Sequence, residues 1–438
     1  MRMKHQNSIL IIFLLSFLLL KAQETKPISK GEVLEKLSEN NQSIKILEQE
    51  FLGARADYRQ TNAVLLPNIS VSHTGTTTNN PVYSFMAKLN QGLFSESDFA
   101  VDNLNNPDAI DNFTTSIQFE QPLINVDGWF QRGAARVKME ATEYQNKFKK
   151  DELLLEGEKT YMLLQLTYKA VSVLEKAQKA ALENKNLTQK YFEQGLVMQA
   201  DVLDVEVRLN EVENQLESAK SNVKNVSDYL NFLVNEKNDP ILVPSDSLEI
   251  IPYTSAEFDQ VTTNRADIMA IEKSTQAYKK MNQSDKMSFL PTLNAFGNYD
   301  LYDDQIFQGA SNSYFIGAKL NWDILQGTKR FGKMQKSKAE FDKSIIQYEQ
   351  YVSKSQLELN KAKRAFTDAQ NKLNRSSMAL ELSEESFRIR TNRFEEGLVK
   401  TSDLLMSEAQ YAQKQLEYYQ SIYEYNLAYA FLKFLAKE

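Results

Sequence analysis

The sequence predicts an α+β membrane protein made of two copies of one unit, each with two strands and one long helical hairpin. Three observations predict it. All nine prolines (27, 67, 81, 107, 122, 240, 244, 252 and 291) lie outside Leu123 to Asp239 and Thr292 to Glu438, so both stretches are free to run as long helices. Glycine is sparse there too: after Gly133 the first stretch has only Gly157 and Gly195, and after Gly332 the second has only Gly397, which makes Gly195 and Gly397 the turning points. Finally, Phe192-Glu193-Gln194-Gly195-Leu196-Val197 recurs 202 residues later as Phe394-Glu395-Glu396-Gly397-Leu398-Val399. Asp201, Leu203, Glu206, Leu230, Phe232 and Leu233 recur at the same offset as Asp403, Leu405, Glu408, Leu432, Phe434 and Leu435, the mark of an internal duplication.

The elements follow in order. Arg2 and Lys4 precede an apolar run from Ser8 to Leu20, which gives way to Lys21 and Ala22; this is the pattern of a secretory signal peptide over 1–22. Ser29 to Asn62 then reads as helix. Leu66-Pro67 and Leu290-Pro291 each end a helix and open a strand, because proline forces the residue before it into an extended conformation. Phe113, Thr115, Ile117, Phe119 and Leu123 alternate with polar residues, as do Tyr314, Ile316, Ala318, Leu320, Trp322 and Ile324, so each copy has two strands. Between the first pair, Asn79 to Asn112 lacks periodicity and reads as a long outward-facing loop. Before Gly195, Phe148, Leu155 and Met162 repeat in sevens, and after a step of four so do Leu166, Val173, Ala180 and Leu187. Beyond it, Leu209, Val212, Leu216, Ala219, Val223, Val226, Leu230 and Leu233 form a heptad seam. Leu405, Ala409, Ala412, Leu416, Tyr419, Tyr423, Leu427, Ala430 and Phe434 repeat that rhythm after Gly397.

Composition excludes several chemistries. With 51 basic against 58 acidic residues and a charge of -7, a nucleic-acid surface has no electrostatic basis. There is no cysteine and only two histidines, His5 and His73, so thiolate catalysis and zinc fingers have no ligands. No nucleophile, base and anion hole recur together, and no cofactor or metal is assigned. Asp300, Asp303 and Asp304 read as a solvated turn rather than a calcium site. Mean hydropathy is -0.47, and beyond the leader no transmembrane helix is expected.

Length closes the architecture. Gly133 to Gln194 would span roughly 93 Å of helix at about 1.5 Å per residue, and Val202 to Val234 returns only about half of it. Ala256 to Ser288 supplies the rest, and Ser402 to Lys437 pairs likewise with Ser29 to Asn62. Four strands of membrane-crossing length leave two bare edges in lipid, so the sheet must close with other copies; three chains give twelve strands. Trp129 and Trp322 fall at strand-to-helix junctions, where membrane-interface aromatics are expected.

Together these residues resemble the TolC-like outer membrane efflux proteins over nearly all of the mature chain. The resemblance rests on Leu66-Pro67 and Leu290-Pro291 before the first strand of each copy, Gln121-Pro122-Leu123 after the second, and Gly-Leu-Val-x-x-x-Asp at 195–201 and 397–403. It implies a homotrimer, with a twelve-stranded β-barrel in the outer membrane lipid continued by an α-helical coiled-coil barrel across the periplasm. The map becomes a signal peptide (1–22), an N-terminal tunnel helix (23–65), the first strand pair with its extracellular loop (66–124), the first hairpin (125–234), an equatorial linker (235–255), a half-length tunnel helix (256–289), the second strand pair (290–325) and the second hairpin (326–438). Pro67, Pro122 and Pro291 mark helix-barrel junctions. The implied activity is a passive exit duct for a tripartite efflux or type I secretion system, with a periplasmic adaptor (membrane fusion protein) and an inner-membrane efflux pump or ABC transporter as partners.

The same resemblance places Gly195, Leu196 and Val197, with Gly397, Leu398 and Val399, at an adaptor-docking tip, and makes Asp201, Asp204 and Asp403 a periplasmic gate. The family's acidic pair is Asp-x-x-Asp in the second copy; here Asp201 and Asp204 have that spacing in the first, while Asp403 is followed by Met406, leaving the tightest ring open between copies. Asp201 and Ser402 also stand where a helix begins and suit capping, which is compatible with gating. The rival readings, a periplasmic adaptor or a coiled-coil scaffold, lack respectively a lipoyl-like domain around one hairpin and a use for the strands.

Overall fold

A computed structural model describes residues 25–253 and 260–436, so the apolar leader over 1–22 lies outside the described residues. In chain order the elements are β1 (Thr25–Ile28), α1 (Lys30–Asn40), α2 (Gln42–Gln60), β2 (Asn68–Thr78), α3 (Pro81–Asn90), α4 (Val101–Asn105), β3 (Ile110–Ile124), α5 (Val126–Glu193), α6 (Gln199–Val234), β4 (Ile241–Pro244), α7 (Ala266–Met287), β5 (Thr292–Asp303), β6 (Ser311–Asn321), α8 (Lys329–Glu395) and α9 (Thr401–Leu435). Among the described residues no helix is long and apolar enough to cross a membrane. The chain forms two compact units.

The first unit contains the described residues up to Gln49, together with 145–268 and those from Tyr351 onward. The heptad seam of α6 is its spine: Val212, Leu216, Ala219, Val223, Leu230 and Leu233 are buried. The seam of α9 is wider than its spacing suggests. Ala412, Tyr423 and Ala430 are buried, but so are Leu404, Ile422, Tyr425, Tyr429, Leu432 and Leu435, while Leu405, Leu416 and Leu427 are only half-buried. The reason is a second neighbour, because Asn426 donates to Glu249 O at 2.7 Å and accepts from Ile251 N at 3.0 Å, fastening the connecting segment onto α9.

Three departures from the sequence reading lie in this unit. The N-terminal helix is broken at Asn41, whose carboxamide oxygen accepts from Ser43 N and Ile44 N and starts α2 while its amide donates to Leu233 O at 2.7 Å. The equatorial linker contains a strand that the sequence reading did not give it, β4, which pairs in parallel with β1. Ile28, Val33, Leu37, Tyr161, Leu230 and Leu242 pack together around that small sheet. Of the helix expected from Ala256, the start lies outside the described residues, and residues 260–265 are not helical: α7 begins at Ala266, after a turn in which Asn264 N donates to Thr262 Oγ1. Beside that start Arg265 forms a bidentate pair with Asp267, both 5% exposed, and also donates to Ser355 Oγ and Leu435 O.

The second unit, Glu50–Tyr144 with Met269–Gln350, holds an antiparallel sheet of order β2-β3-β5-β6. Register sets its faces: Val71 pairs with Ile117, Ile117 with Tyr299 and Tyr299 with Tyr314. One face therefore carries Ile69, Val71, Ile117, Phe119, Tyr299, Ile316 and Leu320, all at least one-third exposed. The other carries Ser70, Ser72, Thr74, Ser116, Gln118, Asn298 and Lys319. Among the described residues β2 and β6 have no outer neighbour.

Pro67 and Pro291 stand directly before β2 and β5. Pro122 does not follow its strand but lies inside β3, next to a register shift between Pro122 and Ile124; a bulge accommodates the missing N–H. Strand β6 ends at Asn321 rather than running to Ile324, and Trp322 just beyond it donates its indole N–H to Phe289 O at 3.1 Å. Trp129 lies in the first turns of α5, 44% exposed. The segment from Asn79 to Asn112 is not a plain loop, since it folds into α3, a 3-10 turn at Glu96–Phe99 and α4. Asn80 caps α3 by accepting from Val82 N and Tyr83 N, with Pro81 at its first position. Asp300 belongs to β5, not to a turn, whereas Asp303 does hold the turn, accepting from Gln305 N and Ala310 N.

Candidate functional site

The candidate site is built by the two hairpin turns of the first unit, α5 to α6 and α8 to α9. Both turns use one solution. Gly195 has φ 71° and Gly397 has φ 73°, the left-handed conformation that glycine adopts without a Cβ clash. Gly195 N donates to Phe192 O and Leu196 N to Tyr191 O; Gly397 N donates to Phe394 O and Leu398 N to Arg393 O, all at 2.8 to 2.9 Å. This pair of bonds satisfies the last carbonyls of each long helix and fixes the exit direction of the chain.

The exit direction decides what each tip presents. Leu196 is 67% exposed and Leu398 is 62% exposed. Val197 and Val399 are half-buried, so of the residues placed at the docking tip the leucines are the apolar side chains most open to solvent. The returning helices begin immediately after. Asp201 is not the cap of α6 but its third residue, and its carboxylate reaches back to accept from Met198 N at 2.9 Å. Its counterpart α9 starts at Thr401 with no side-chain cap, so the capping role expected of Ser402 is absent; Ser402 already lies within the first turn. Asp204 and Asp403 are exposed, and the Asp403 carbonyl accepts from Arg390 Nη1 at 3.1 Å.

Just behind the turns the two hairpins are clasped by residues that sequence reasoning did not single out. Glu408 on α9 is 2% exposed; its carboxylate accepts from Asn184 Nδ2 of α5 at 2.7 Å and lies 3.4 Å from Arg208 Nε of α6. Burial pushes the Glu408 carboxyl above its ordinary range, with the Arg208 charge and the two side-chain contacts opposing. Nearer the tip, the Tyr191 hydroxyl donates to Glu395 O at 3.1 Å and its ring meets Phe394 at 5.8 Å. The signal for Glu408 lay in the duplication, which repeats Glu206 there; what it did not carry is that Glu206 pairs with Lys185 while half-exposed.

The model of the outer membrane efflux protein family matches residues 33–236 and 258–436. No curated protein sequence matches the chain. Among solved structures, the chain is similar to the outer membrane protein VceC from Vibrio cholerae, with a TM-score of 0.76 at 18% identity over 93% of this chain and 96% of that one. It is similar to the CmeC outer membrane channel of Campylobacter jejuni, with a TM-score of 0.77 at 17% identity over 93% and 85%. The MtrE outer membrane channel of Neisseria gonorrhoeae, in its open state, gives 0.75 at 14% identity over 93% and 88%. The duplicated strands and hairpins are thus those of a channel fold rather than an enzyme, and the chain belongs to the outer membrane efflux protein family, whose members are channels of the cell outer membrane that extend into the periplasm.

Proposed function

We propose that three copies of the chain assemble into one exit duct, their sheets closing as a twelve-stranded barrel and their helices as a tunnel. An inner-membrane efflux pump or ABC transporter would deliver substrates to it through a periplasmic adaptor. One observation carries this reading: a four-stranded sheet with one apolar exposed face and two unpaired edges, β2 and β6. An open edge in hydrocarbon leaves backbone groups unsatisfied, and joining β2 of one copy to β6 of the next removes every edge. In the same assembly the hairpin tips form the inner end. The exposed Leu196 and Leu398 suit adaptor docking, and Asp201, Asp204 and Asp403 suit a ring of negative charge narrowing the pore.

Single-channel recording in planar bilayers tests the duct and its gate together. Two carboxylates about 6 Å apart repel by roughly 2.8 kcal/mol at an effective dielectric near 20, so such a ring attracts cations strongly. The wild type is expected to pass a small, cation-selective current blocked by multivalent cations. Replacing Asp201, Asp204 and Asp403 with Ala is expected to enlarge the current and weaken the block. Unchanged current and block would refute the gate assignment; no channel from well-folded protein would refute the duct.

A further inference from the structure

The C-terminal end of α6 and the turn that follows it enclose a cavity of about 220 Å3, whose lining also includes Asn41 and Gln42, where α2 starts. Local sequence builds it. Asp228, Asn231 and Asn235 stand at steps of three and four, so they share one face of the helix. Asn235 then ends α6 in the left-handed conformation, with φ 54°, and the chain turns back so that Glu236 and Asp239 line the same cavity.

Its electrostatics are one-sided. Three carboxylates line it, those of Asp228, Glu236 and Asp239, and no lysine or arginine does. Glu236 is neutralised by Lys26 at 2.6 Å, with Lys36 at 3.9 Å. The Asp228 and Asp239 carboxylates have no ion-pair or hydrogen-bond partner among the described residues. The helix acts in the same sense, because its C-terminal end carries partial negative charge and its last turn has no basic residue.

The residue that asks for a ligand is Asn231, which is fully buried. Its Nδ2 donates to Pro240 O at 2.8 Å, a carbonyl that also accepts from Ser227 Oγ at 3.1 Å. Turning the amide round would set its oxygen against that carbonyl, acceptor to acceptor, so this bond fixes the orientation. Oδ1 is left as the free acceptor of a residue that lines the cavity, with no donor among the described residues, and a buried amide oxygen without a partner is unfavourable.

We propose that this cavity binds one calcium ion through the Asp228 and Asp239 carboxylates and Asn231 Oδ1, with water completing the shell. Oxygen donors without histidine or cysteine suit a hard cation, and calcium accepts an irregular set of them where magnesium demands a near-ideal octahedron. Among the described residues no three acidic or histidine side chains group closely enough to hold a metal by themselves, so the site is a weak one, with a dissociation constant of about 10⁻⁴ to 10⁻³ M. The ion would tie the end of α6 to the turn before β4, beside the corner where Asn41 Nδ2 holds Leu233 O and Gln42 Nε2 holds Asn235 Oδ1 at 3.3 Å. This site is independent of the trimeric reading of the duct.

Isothermal titration of the purified, chelator-treated chain with calcium tests it, with one ion per chain expected in that range. Because the acidic tips also attract cations, two variants are compared. Asp228→Asn combined with Asp239→Asn is expected to lose the ion and, since neither carboxylate has a protein partner, to melt like the wild type without calcium; the alanine variant at Asp201, Asp204 and Asp403 is expected to keep it. Tryptic cleavage after Lys237, exposed in the turn, reports the same event: about 10 mM calcium should slow it roughly tenfold in the wild type and leave it unchanged in the cavity variant. A wild type that binds no calcium in this range, binding undiminished in the cavity variant, or cleavage at one rate with and without calcium overturns the site, and loss of the ion from the tip variant alone overturns it by placing the ion at the tips.

Discussion

Glu408 offers the sharpest test of how the tips are held. Replacing it with Ala leaves Asn184 Nδ2 without its acceptor at 2.7 Å and Arg208, only 12% exposed, without its counter-charge. Removing one member of a buried pair costs about 3 to 5 kcal/mol, and the partial exposure of Arg208 puts this case near 3, a factor of about a hundred in the local equilibrium. The loss falls on the clasp between the hairpins, so Glu408→Ala is expected to unfold at lower temperature and to show larger, noisier single-channel currents. Glu408→Gln keeps the shape and the Asn184 contact, and separates charge from packing. Because burial raises the Glu408 pKa, the folded chain holds that proton more tightly than the unfolded chain. The stability this confers is complete below the ordinary value of 4.5 and is lost as pH rises through the raised value. Thermal unfolding across that range should show this decline in the wild type and not in Glu408→Gln. An Ala variant with unchanged melting and unchanged current would refute the clasp, and a Gln variant with the full wild-type pH profile would refute the assignment of the titration to Glu408.

Leu196→Asp combined with Leu398→Asp should abolish export while leaving trimers intact on native gels, since each exposed leucine stands to contribute about 1.5 to 3 kcal/mol when a partner covers it; normal drug resistance in the double variant would count against docking. Asp201→Asn should keep the acceptor for Met198 N, and hence normal melting, yet weaken multivalent-cation block in bilayers. Asp267→Ala strands the Arg265 guanidinium in the core of its unit and removes the acceptor of the Tyr351 hydroxyl at 2.7 Å, at a cost of about 3 to 5 kcal/mol, measurable as a fall in denaturation midpoint.

What the sequence revealed was what repeats or alternates. Long proline-free stretches, the 202-residue offset and the period-two runs each reflect a constraint shared by many residues, so they are visible without coordinates. The small parallel sheet of β1 and β4 was not visible, because four residues carry no periodicity and the pairing partner lies over 200 positions away. The break at Asn41 depends on a contact with Leu233 O, and the burial around α9 on a connecting segment fastened by Asn426. Helix α3 was hidden for another reason: its buried face is the small, polar set Ser84, Ala87 and Gln91, so its apolar residues mark the face that does not touch the sheet.

The duplication itself separates two kinds of repeated residue. Leu230 and Leu432, like Leu233 and Leu435, are equally buried, and Gly195 and Gly397 share one φ; these identities answer local demands of seam and turn that both copies meet. Other pairs are identical in sequence and unlike in surroundings. Phe192 is 39% exposed and Phe394 3%; Glu206 meets Lys185 at the surface, whereas Glu408 is enclosed between α5 and α6. The second hairpin is therefore gripped by the first at positions whose counterparts in the first stay at the surface. Separating the two tips requires breaking the Glu408 contacts and the Tyr191 bond to Glu395 O, while the Gly195 and Gly397 turns, closed by bonds within each hairpin, need not change. If the tips gate the duct as proposed, the cost of opening would reside in the clasp rather than in the turns, and Glu408 is expected to govern the resting state more than either glycine does.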